Sequence, residues 1–223
     1  MVFEGLERAP AGALQARFAQ WAESSRFRAF AATYRDKLRK KLRLVHDAEG
    51  LRDLELELEV AARLLADRRF TIEYEKHATT GRRYPDLVVT FRERTVVHME
   101  VKRMRAVGAD PDAKCGAVVC DAVQQLVPNA CNAVAIGLPP GVAPTPDPAR
   151  ALRALRLRAE RKDGVYFQRR DFTDARGFLR CFERLSALVM IGDIPDAHVE
   201  LNALARWPLP VELARALERA SAT

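Results

Sequence analysis

Four cysteines in 223 residues are too few to staple a chain of this length. Disulfide frameworks belong to short secreted domains, so none is expected. Cys115 and Cys120 fall on one expected helix, about 140° apart around its axis, a poor arrangement for gripping a single zinc ion or cluster. Buried, inert thiols are the expectation. No run of 18 or more apolar residues is present, and the first residues carry no apolar signal-peptide core. A soluble, cytoplasmic protein without a membrane partner is therefore expected. Glycine-rich phosphate loops, Cys-x-x-Cys pairs and Gly-x-Ser-x-Gly elbows are also missing. Nucleotide-driven motors and α/β-hydrolase chemistry have no support.

What is present is ample apolar matter, 48% of the chain, enough for a packed interior of one core domain with additions around it. A net charge of +7 favours a polyanionic partner. The first fifty residues read as helices, with Leu14, Phe18, Trp21, Phe27 and Phe30 at helical spacing. The basic run Arg35 to Arg43 follows, and it has two readings: a helix that tracks phosphates, or a solvated face packed on the core. Pro139 to Pro148 is the clear break. The chain thus divides into an N-terminal helical region 1–50, a core 51–138 and a C-terminal accessory region 149–223, mainly helical. In that last region residues 149–168 suit either a helix or a hairpin. Phe172 to Met190 reads as a helix, and a final helix starts at Pro208 or Pro210.

The core carries the chemistry. Leu51 to Asp67 reads as a helix with Leu54, Leu58, Ala61 and Leu65 on its buried stripe. Glu57 lies about 60° from Leu54, on the border of that stripe, whereas Glu55 and Glu59 point further away. Three strands are expected next, Phe70 to Lys76, Tyr84 to Phe91 and Thr95 to Val101, the last two joined by a tight turn at 92–94. Alternation puts His98, Glu100 and Lys102 on one face of the third strand. Antiparallel pairing brings Asp86 level with its end. Two carboxylates about 4 Å apart repel by roughly 4 kcal/mol at an effective dielectric near 20. Such a pair persists when a proton is shared or a cation lies between them, and oxygen-only donors suit Mg²⁺ or Mn²⁺. A helix from Ala113 to Val127 and a buried strand from Cys131 to Leu138 complete the pattern.

Pro85-Asp86, a 13-residue spacer and Glu100-Val101-Lys102, preceded by the helix run Glu57-Leu58-Glu59-Val60-Ala61, resemble the PD-(D/E)XK nuclease superfamily. The resemblance spans roughly Leu51 to Leu138. It implies an α/β, restriction-endonuclease-like αβββαβ core with a mixed central sheet and extra helices at both ends. It further implies a metal-dependent nuclease cutting phosphodiester bonds, most readily in DNA, with Mg²⁺ or Mn²⁺. Asp86, Glu100 and the Val101 carbonyl would bind metal, Glu57 would assist through water, and Lys102 would position the attacking water or stabilise the phosphorane. Arg82, Arg83, Arg103 and one of Gln124 and Gln125 are candidate nucleic-acid contacts, and Lys114 and His98 are further candidates near the site. A homodimer or a subunit of a larger complex would fit the same reading. The alternative is a non-catalytic nucleic-acid-binding or assembly subunit on this scaffold, which predicts salt-sensitive binding without cleavage.

Overall fold

The computed structural model describes residues 11–75, 85–105, 109–141, 143–192 and 199–221. Three helices come first: α1 (Ala11–Trp21), α2 (Ser25–Thr33) and α3 (Arg35–Leu44). Ser24 starts α2 by accepting the Phe27 amide, as an N-cap serine should. The long helix α4 (Ala48–Ala66) begins at Asp47, whose carboxylate accepts the Gly50 amide over 2.7 Å. Three strands follow, β1 (Phe70–Tyr74), β2 (Leu87–Phe91) and β3 (Thr95–Arg103), then α5 (Pro111–Val123) and β4 (Asn132–Gly137). The order helix, three strands, helix, strand agrees with the expectation.

The remainder is α6 (Pro148–Glu160), α7 (Gly164–Gln168), α8 (Ala175–Phe182), β5 (Leu185–Ile191), β6 (Val199–Leu201) and α9 (Val211–Ser221). The two open readings of residues 149–168 close in favour of helices. Ala151, Leu152, Leu155 and Ala159 share the buried side of α6, a 3.6-residue pattern that the arginines between them disguise as alternation. The single helix expected over Phe172 to Met190 is corrected: it ends at Phe182, and Leu185 to Ile191 form a strand. Every residue of that strand is buried. A short apolar run covered on both sides has no period by which sequence could separate strand from helix.

All six strands form one open sheet in the order β1-β2-β3-β4-β5-β6. It is mixed: β3, β4 and β5 run parallel, and the other neighbouring pairs are antiparallel. One face carries Val97, Met99, Val101, Ala133, Ala135 and Val189, packed under α1 to α4 and α9. The opposite face carries Val134, Ile136, Leu188 and Met190 under α5 to α8. Full coverage of the parallel centre explains why every residue of β4 is buried and why, after Asn132, the strand carries no polar side chain. Gly137, at the end of β4, lets α4 approach closely; a methyl group there would meet Leu56 Cδ2 at 2.5 Å.

Candidate active site

The first strand of the hairpin is kept short by its own acid. The β2–β3 ladder begins at Leu87↔Met99, and one residue earlier the chain bends at Asp86. There the Asp86 side chain takes over: its Oδ2 accepts the Val101 amide over 2.8 Å. Among the described residues that amide is the donor seen on this carboxylate. Val101 was expected to contribute its carbonyl; the contact observed to Asp86 is through its N–H. Glu100 follows the alternation read from the sequence and turns to the α5 side, where it is 3% exposed. Lys102 Nζ donates to Glu100 Oε1 over 2.6 Å.

Of the two glutamines, Gln125 faces inward. In the amide orientation that satisfies its neighbours, it donates to Glu100 Oε1 over 3.1 Å and accepts from Lys102 Nζ over 3.3 Å. Gln124 turns away and donates to the Arg170 carbonyl. Asp86, Lys102, Gln125, Lys114 and Glu57 line one cleft of about 510 Å³ between α4 and α5. The α4 stripe did place Glu57 toward this cleft, and it is buried there. His98 pairs with Val88 and Asn132 further down the strand. Arg82 and Arg83 lie outside the described residues. Arg103 is spoken for: its guanidinium donates to Glu49 Oε2 over 2.6 Å and to Asp53 Oδ1 over 2.9 Å, tying the end of β3 to α4.

Three residues that sequence reasoning missed complete the site. Lys41, on α3, donates to Glu57 Oε1 and Oε2 over 2.8 and 2.7 Å and to Glu75 Oε1 over 3.0 Å. Glu75 arrives there because the chain leaves β1 in the left-handed region, with φ 42°. Its amide donates to the Asp86 carbonyl, and Lys37 caps its own carbonyl over 2.6 Å. Tyr74 adds a second donor and a third hydrogen bond to Glu57, its hydroxyl lying 2.7 Å from Oε2. The available signal was the position of Lys41 beside the inner stripe Leu38 and Leu42; what α3 lies against was not written locally.

Glu57, Glu75 and Glu100 each lie within electrostatic reach of Asp86, as do the ammonium groups of Lys41 and Lys102, and Lys114 adds a further ammonium to the cleft lining. Burial among like charges registers in the acidities of Glu57, Asp86 and Glu100. Burial first, and then the charge of Asp86, push the Glu57 carboxyl up to about 7 against the pull of Lys41 and Tyr74. Glu100 is pushed up to about 7 for the same two reasons, opposed by Lys102. Burial also raises Asp86, opposed by the Val101 amide and the two lysines. Burial works to lower the Lys41 ammonium, yet Glu57 and Glu75 outweigh it and hold Lys41 above an ordinary lysine.

Among the described residues no group of three or more His, Cys, Asp or Glu side chains is set as a ready metal shell. Cys115 and Cys120 lie on the buried side of α5, and burial pushes both thiols up to about 12, so they stay protonated. No helix among the described residues is long and apolar enough to cross a membrane. No family model, no curated protein and no solved structure matches the chain.

Proposed function

We propose that this chain is a divalent-metal-dependent nuclease built on a restriction-endonuclease-like core. The observation that carries the reading is the gathering of acids at one place: Asp86 and Glu57 line one cleft with Lys102, and Glu100 is buried on the strand beside Asp86. An acid kept out of water in such company favours a cation as its partner. The donors fit Mg²⁺ or Mn²⁺: they are all oxygen, and Mg²⁺ characteristically uses one or two carboxylates and keeps several waters. Asp86, Glu100 and the Val101 carbonyl would hold it, and Glu57 would reach it through water. Bound there, a hard cation supplies Lewis-acid neutralisation of charge on a phosphodiester.

The protein's own part is positional and electrostatic. Gln125 and Glu100 fix the Lys102 ammonium at the cleft. From there it can meet negative charge that develops on the phosphate or hold the attacking water. Lys41 and Tyr74 fix the Glu57 carboxylate, which leaves it oriented rather than swinging. The net charge of +7 favours a polyanion such as DNA as substrate.

The test is cleavage of mixed DNA and RNA substrates with Mg²⁺ by wild type, Asp86→Ala and Lys102→Ala. Loss of at least about 100-fold in each variant is expected, the scale of removing one preorganised charge. Equal cleavage by all three would identify a contaminant and sink the reading. A second reading draws on the two lysine–carboxylate pairs, which answer Glu57 and Glu100 internally. A non-catalytic nucleic-acid-binding subunit would bind in a salt-sensitive manner and cleave nothing, whichever divalent ion is supplied.

A further inference from the structure

Lys41 reaches Glu57, at the wall of the cleft, from outside the core segment that holds the acids and Lys102. It lies on α3, and its ammonium is bonded to three carboxylate oxygens of Glu57 and Glu75 at 2.7 to 3.0 Å and sits 5.4 Å from the centre of the Tyr74 ring. Three anionic oxygens from two residues, gathered around one positive centre, form the surroundings a second hard cation would need. The helix is held firmly enough to keep the charge there. Leu38 and Leu42 are buried in the core, and Lys37, one turn before Lys41, grips the Tyr74 and Glu75 carbonyls.

We infer that Lys41 is the fixed cation of this site, a positioning residue standing between Glu57 and Glu75 and limiting the cleft to one divalent ion. The inference rests on the metal-binding reading above and deepens it. The first ion belongs to Asp86 and Glu100, next to Lys102. The place beside Glu57 and Glu75 is already filled, by an ammonium that does not dissociate. Replacing that ammonium with a neutral side chain leaves two carboxylates facing each other, and a second hard cation answers them.

The experiment is Mn²⁺ titration of the full chain at pH 8, counting bound ions by the electron paramagnetic resonance signal of the free ion. Wild type is expected to take one Mn²⁺, Lys41→Met two, and Lys41→Arg one, since the arginine restores the charge. Adding Glu75→Gln to Lys41→Met should abolish the second ion and leave the first. A helix anchor with no electrostatic role would change thermal stability without changing the count. Should Lys41→Met not fold, Lys41→Gln is read in the same way. One ion in every Lys41 variant, or two in wild type, overturns the inference and leaves the metal site standing. No ion in any of them, Asp86→Ala behaving as wild type, overturns the metal site itself.

Discussion

Glu57 and Glu100 are carboxyls placed where ionisation is disfavoured, and this gives the protein a measurable dependence on pH. An unfolded glutamate releases its proton near 4.5, whereas these two hold theirs up to about 7. Between those values the folded chain binds more protons than the unfolded one, so stability is complete below the lower value and declines as pH rises through the upper. A carboxyl displaced that far carries roughly 3 kcal/mol of ionisation penalty. Without divalent ions the melting temperature is expected to fall by several degrees from pH 5 to pH 8, and Glu100→Gln should flatten the slope. Differential scanning calorimetry at both pH values decides it; a melting temperature that climbs over this range would count against the burial of these acids. At this scale the sequence was informative where strand alternation and helix angle applied, which covers Glu57, Glu100 and Lys102. It was silent on Lys41 and Glu75, because their meeting depends on how one helix docks and on a left-handed residue after β1.

α3 shows how an element can look like surface and still be structural. Its sequence, RDKLRKKLRL, is mostly charged, yet Leu38 is fully buried and Lys37 and Lys41 point at the end of β1. Leu38→Ala should cost about 2–5 kcal/mol, the range for emptying a buried leucine site. The exposed Lys40→Ala should stay within about 0.5 kcal/mol. Urea unfolding of both variants separates the two, and equal midpoints would mean that α3 does not pack as described. The elements most legible from sequence were those with a strong period or a cap, such as α4, β3 and α5. β5 was hidden because LSALVMI has no polar face to mark it, and α6 because its arginines fall at every second residue in places.

For the whole molecule, the succession α4-β1-β2-β3-α5-β4 could be read in advance, but the way the ends of the chain join it could not. Helices from both ends pack on α4, and the C-terminal region supplies β5 and β6 to the same sheet as the site. Ending the chain after Asp147 would strip β5 from β4 and leave Val134 and Ile136 uncovered at an unpaired edge. Such a fragment is expected to aggregate and to show no cooperative thermal transition by circular dichroism. A soluble fragment with a sharp transition would establish residues up to 147 as an independent unit. The crossover between the parallel strands β4 and β5 also has a bearing on biosynthesis. As the polypeptide leaves the ribosome, β4 can find β3 at once, but its other side waits while α6, α7 and α8 are made. Through that interval the nascent protein presents a bare strand that is apolar beyond Asn132, the kind of surface a molecular chaperone holds until its partner emerges.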